Sequence, residues 1–142
     1  MSIQLNAEHL AAIARRGEQA YPHEGCGLLL GREVDGCKVV EEIIPVDNAR
    51  ESEAQHNRYL IPPEAVNRGE RYAMQNGMDV IGFFHSHPDH PSRPSDFDRE
   101  HAWPWYAYVI TSVQAGHAAK TTAWSLADDR ARFDAEEIEG VV

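Results

Sequence analysis

The sequence predicts an α/β domain. Two observations carry that expectation. Apolar residues recur at helical spacing near residues 7–20 and 62–76, and short apolar runs rich in β-branched and aromatic residues fill much of the rest. A length of 142 residues fits one domain, 1–142, large enough to bury about 68–70 % of its unfolded surface. No internal repeat, low-complexity tract or linker divides it.

Taken in order, Asn6 suits a helix N-cap and Glu8 a first turn. Leu10, Ile13, Ala14, Ala20 and Tyr21 then predict a helix over 7–20, stopped by Pro22. Cys26 to Leu30 reads as a short strand ended by Gly31, and Lys38 to Val46 as a second. The Asp35-Gly36 turn joins them as a hairpin. Residues 47–57 form a polar loop, and Arg58 to Ile61 read as a short strand. Pro62 and Pro63 open a helix that ends near Asn76-Gly77. Asp79 to His87 is a strand carrying Val80, Ile81, Phe83 and Phe84. The aromatics of Trp103 to Tyr108 read as core and edge packing at the start of another strand, through Ile110. Lys120 to Leu126 and Arg130 to Phe133 read as the last strands. The tail, with Glu136, Glu137 and Glu139, reads as a solvated end.

Composition excludes several classes. A formal charge of −10 argues against nucleic-acid binding, which needs a basic stripe. The acidic excess serves solubility or meets a basic partner surface. Two cysteines, Cys26 and Cys37, make no disulfide framework, so a reduced cytoplasm is the expected compartment. The first residues, Met-Ser-Ile-Gln-Leu-Asn, lack a basic segment followed by an apolar stretch. Neither a signal peptide nor a membrane span is expected.

The chemistry concentrates in GFFHSHPDHPSRPSDFD, residues 82–98. Side chains alternate along a strand, so His85 and His87 point one way and Ser86 the other. Two adjacent imidazoles form half of a zinc site, although such a pair alone also suits a polar strand end. Pro88, Pro91 and Pro94 forbid helix through the loop, and Ser95 then starts one. Ser95 and Asp98, three apart, share a face. Two histidines and a carboxylate make a three-ligand metal site with an open position for water. Ser95 and Asp98 equally suit a capping box, and the two readings are compatible.

His85-Ser86-His87-Pro88, then Ser95-x-x-Asp98, resembles the JAMM motif of the MPN-domain (Mov34/MPN/PAD-1) metallopeptidases. The resemblance covers nearly the whole chain. It implies a mixed, curved β-sheet flanked by helices, and a distant glutamate before an N-terminal strand, for which Glu24 stands in the expected place. It further implies Zn2+ held by His85, His87 and Asp98, with water as nucleophile. Glu24 would act as general base and Ser95 would stabilise the oxyanion. Cys26, if the strand extends back, shares the face of Glu24, but reads as a core thiol.

Short connections imply a compact bacterial-type relative, because only Arg99 to Pro104 separate Asp98 from the next strand. Such relatives act on ubiquitin-like sulfur-carrier proteins (ThiS/MoaD-like). They cleave the amide after the carrier's Gly-Gly end, in carrier–cysteine or carrier–protein conjugates. In this family the 47–57 segment borders the substrate groove, which makes Asn48, Arg58 and Tyr59 candidate contacts. The alternatives are a broader JAMM isopeptidase and a non-catalytic MPN scaffold. A zinc deaminase is disfavoured because no C-x-x-C occurs. A Cys26 hydrolase leaves the HxH-x7-SxxD pattern unexplained.

Overall fold

The computed structural model describes residues 2–141. Its strands are β1 (Ser2–Asn6), β2 (Cys26–Val34), β3 (Cys37–Val46), β4 (Asp79–Pro88), β5 (Ala107–Gln114), β6 (His117–Leu126) and β7 (Phe133–Val141). The helices are α1 (Ala7–Ala20), α2 (Pro63–Gln75) and α3 (Asp96–His101). The sheet is mixed, as expected, and its curvature runs to closure. The order β1-β3-β2-β4-β5-β6-β7 forms a barrel closed by parallel pairing of β1 with β7. Pairing is also parallel between β1 and β3 and between β4 and β5, and antiparallel elsewhere.

Strand alternation sorts the apolar residues into layers. Leu29, Ile81, Phe84 and Val109 pack with Ile3 and Leu5 of β1 and Ile13 of α1 in one cluster. Leu28, Leu30, Val80 and Ala73 of α2 form another, on the opposite face of β2 and β4. Each such aliphatic side chain contributes about 1.5–3 kcal/mol relative to exposure. In the β2–β4 ladder Leu29 faces Gly82 and Leu30 faces Val80, so Ile81 is an extra residue. That bulge resets the parity of β4. Phe84 and Ser86 then look to the α1 side, and Phe83, His85 and His87 look the other way.

Four sequence expectations change. β1 is unexpected; it pairs both β3 and β7, with Ile3 and Leu5 buried in alternation with Ser2, Gln4 and Asn6. The tail read as a solvated end, and the strand expected at Arg130 to Phe133, resolve into β7. Glu137 and Glu139 are exposed and Glu136 is half-buried, but the backbone of β7 closes the barrel. Arg58 to Ile61 is irregular, its backbone tied instead into the preceding loop by Leu60 O, which accepts from Ala49 N–H at 2.9 Å. β5 starts at Ala107, and Trp103 and Trp105 are 65 % and 44 % exposed rather than packed. Arg130 and Lys38 lie over their rings. No described helix is long and apolar enough to cross a membrane.

Close strand approach dictates two glycines. β2 runs on past Gly31, where a Cβ would sit 1.9 Å from Val39 O. At Gly82 a Cβ would sit 2.3 Å from Ala107 O of β5. Backbone cannot yield as a side chain can, so Gly82→Ala should lower stability by about 1–3 kcal/mol in urea unfolding. An unchanged midpoint would show that β4 and β5 have slack.

Candidate metal centre

β4 carries the site on one face and its support on the other. His85 and His87 emerge together and are 1 % and 6 % exposed. Between them Ser86 points back: its Oγ accepts from Gly25 N–H at 2.8 Å, and its N–H donates to Gly25 O at 3.0 Å. The His-Ser-His run therefore holds two imidazoles and the neighbour of Glu24 with consecutive side chains.

α3 supplies the third group. The prolines keep residues 88–94 out of helix, and Ser95 caps α3: its Oγ accepts from Asp98 N–H at 3.0 Å. Ser95 N–H in turn donates to Asp98 Oδ2 at 2.9 Å, so the capping box expected from the sequence is present. It also aims Asp98. Asp98 Oδ2 lies 3.2 Å from His85 Nε2 and 3.1 Å from His87 Nε2, and the two nitrogens are 3.2 Å apart.

The donor set fits a small divalent cation. Tetrahedral zinc, with bonds of about 2.0–2.1 Å, separates its ligands by about 3.3–3.4 Å, close to the observed triangle. His87 Nδ1 donates to Pro91 O at 2.9 Å, which fixes the tautomer leaving Nε2 with a lone pair. These three residues are placed to bind a metal. Burial would raise the Asp98 carboxyl, but the adjacent imidazoles of His85 and His87 and the hydrogen bond from Ser95 N–H outweigh it. The carboxyl is held well below the usual range. Burial lowers His85. The same desolvation acts on His87, but bonding to Asp98 and its charge prevail and raise it.

Glu24 sits between α1 and β2, 4 % exposed. Its Oε1 has no hydrogen-bond partner among the described residues. Desolvation pushes its carboxyl up to about 8, against an opposing pull from His87. Glu24, His87 and Ser95 line one cleft of about 540 Å³, bordered by Arg58, His90 and Phe97.

The loop after β3 is a strap over this centre, clasped by one side chain. Asn48 Nδ2 donates to Glu24 O at 3.0 Å and Arg58 O at 2.9 Å. Its Oδ1 accepts from Arg50 N–H at 3.0 Å and Leu60 N–H at 3.1 Å. Gln55 O accepts from Glu24 N–H at 2.6 Å. Tyr59 stacks on His85, ring centroids 4.4 Å apart. Asn48 and Tyr59, read from the sequence as candidate substrate contacts, are thus engaged in holding the site. Arg58 alone of the three lines the cleft. Gln55, whose carbonyl meets a distant backbone N–H, and Phe97, whose ring meets Arg50, Arg58 and His101, carry no local mark in the sequence.

Cys26 is fully buried and its Sγ donates to Val46 O at 3.4 Å. Burial pushes the thiol up to about 12, so it is protonated and a poor nucleophile. Native protein at pH 8 should leave Cys26 unalkylated by iodoacetamide until urea is added; rapid native labelling would return Cys26 to the list of nucleophiles. Ser86→Ala orphans the buried Gly25 N–H and should cost about 1–3 kcal/mol in thermal or urea unfolding, with an unchanged midpoint as the contrary result.

Residues 6–127 match the family described as Prok-JAB, prokaryotic homologs of the JAB domain. A desampylase of Haloferax volcanii is 39% identical over 92 residues, covering 64% of this chain and 63% of that protein. The "Probable TtuB-protein conjugate cleaving protease" of Thermus thermophilus is 34% identical over 89 residues, covering 63% of this chain and 55% of that one. The match thus spans under two thirds of the length of both curated relatives. The solution structure of a protein from Desulfitobacterium hafniense superposes with a TM-score of 0.85 at 29% identity, over 98% of this chain and 92% of that one. Fold, motif and family match agree, and the chain belongs to the Prok-JAB family, a compact prokaryotic form of the JAMM/MPN domain.

Proposed function

We propose that this chain is a cytoplasmic zinc-dependent hydrolase of the amide or isopeptide bond that follows the C-terminal glycines of a ubiquitin-like protein. One observation carries the reading: three donor atoms converge at 3.1–3.2 Å, and one of the three residues, His87, lines the cleft that also holds the buried, uncommitted Glu24. The names of two relatives, a desampylase and a conjugate cleaving protease, support the same direction.

His85, His87 and Asp98 would hold the metal. When bound, the ion supplies Lewis acidity, which acidifies water and polarises the scissile carbonyl. Glu24 takes the water's proton and carries it to the departing amine; its burial and unpartnered Oε1 suit a group that must change protonation state twice. Ser95 accepts the α3 cap bond through its lone pair and keeps its O–H to donate to the oxyanion. Asn48, Gln55 and Ser86 fix the backbone about Glu24 and limit how far its carboxylate strays.

The finer substrate is a small sulfur-carrier protein (ThiS/MoaD-like) bearing cysteine or a protein at its Gly-Gly end. The short connections beside the motif support it, since they leave little structure to grip a large folded partner. A broader deconjugating activity is the second reading, favoured by the names of both relatives.

His87→Ala should lose zinc and turnover together, because two ligands hold the ion poorly. Glu24→Gln should keep zinc and lose turnover, and full activity in that variant removes Glu24 as the base. Ser95→Ala should keep zinc and lose about 10²–10³ in kcat. Normal turnover with a stability loss of about 1 kcal/mol would confine Ser95 to capping. Offered a carrier–cysteine adduct, a carrier–lysine isopeptide and di-ubiquitin, the zinc-loaded protein should cleave the carrier adducts; cleavage of di-ubiquitin alone would overturn the carrier assignment.

A further inference from the structure

The cleft is positively charged in an acidic protein. Against a formal net charge of −10, the residues lining it include Arg58 and Arg93, and Glu24 is their only carboxylate. Phe97, which adjoins Asp98, is shared by this cleft and a second, apolar cavity, and a guanidinium from each meets its ring: Cζ of Arg58, from the cleft, lies 4.6 Å from the centroid, and Cζ of Arg50, from the second cavity, 5.0 Å. Neither side chain has a carboxylate partner among the described residues, and Arg50 Nε is buried with no acceptor. Phe97 attracts both cations, but they repel one another, and an anion would relieve that repulsion, most of all for the half-buried Arg50; Arg58 is exposed. Their positions are imposed by the strap, since the Asn48 clasp bonds the backbone of Arg50, Arg58 and Glu24 at once.

We infer that Arg50 and Arg58 form a subsite for a carboxylate of the substrate, and that this carboxylate is the α-carboxylate of an amino acid leaving group. The inference rests on the amide-hydrolase reading of the same cleft. Glu24 must reach the scissile nitrogen, and the clasp ties Arg58 to Glu24. In a carrier–amino acid adduct the α-carboxylate lies one carbon from that nitrogen. In an isopeptide made by a lysine side chain the amine carries no such group. A guanidinium pair, planar and rich in donors, matches a carboxylate's two oxygens, whereas a neutral carboxamide offers one acceptor and no charge. The subsite therefore selects amino acid adducts over protein conjugates.

Binding tests this without turnover. Zinc-loaded Glu24→Gln protein is titrated with a synthetic peptide ending in Gly-Gly-Ala with a free carboxylate, and with the same peptide as its carboxamide. The acid should bind about tenfold more tightly, in line with a charge-assisted bond. Adding Arg50→Gln and Arg58→Gln should bring both forms to the weaker affinity. Equal affinities, binding of neither peptide, or a preference that survives in the double-arginine variant would overturn the assignment; the last result would place the carboxylate on the metal or on Arg93. Failure of the hydrolase reading shows separately, as no cleavage of the free-acid peptide by zinc-loaded protein with Glu24 intact.

Discussion

Three polar atoms of buried residues are held within 3.2 Å of one another, and much of the fold follows from that demand. Two imidazole nitrogens and a carboxylate oxygen do not gather unaided, because each loses water on burial. Hydrogen bonds support two of the groups and ring stacking the third, His85, whose Nδ1 has no partner among the described residues. Pro91 O holds His87, Ser95 N–H holds Asp98, and Tyr59 stacks on His85. The Ile81 bulge sets the strand parity that points both histidines at α3.

Glu24 depends on a separate set of constraints that converge on the same place. Ser86 secures Gly25 from beneath, and the strap secures the backbone of Glu24 from above. A carboxylate buried to 4 % exposure with one orphaned oxygen is costly, and a nearby dication would offset that cost by favouring the ionised form. Glu24 and the His85, His87 and Asp98 cluster are thus tied by backbone, and a bound metal would couple them by field as well.

Much of this was legible in the sequence because it rests on local patterns. Alternation put His85 and His87 on one face, i,i+3 spacing aligned Ser95 with Asp98, and caps and prolines bounded α1, α2 and α3. What escaped depends on distant backbone. β7 sets Phe133 and Ile138 against the core, but three glutamates among its nine residues blur that pattern, and its pairing with β1 joins the two ends of the sequence. Leu60 and Ile61 resemble a strand but line a second, apolar cavity behind Phe97. The Asn48 clasp joins four backbone groups up to 24 residues away, and one asparagine in a polar loop announces none of them.

The central claim is that His85, His87 and Asp98 hold a metal with an open position beside Glu24. Zinc K-edge X-ray absorption of the protein purified with its metal tests it most directly. The account predicts one zinc per chain with a four-coordinate nitrogen and oxygen shell at about 2.0–2.1 Å and two imidazoles in the outer scattering. A sulfur neighbour at about 2.3 Å, or protein that binds no zinc, would contradict it.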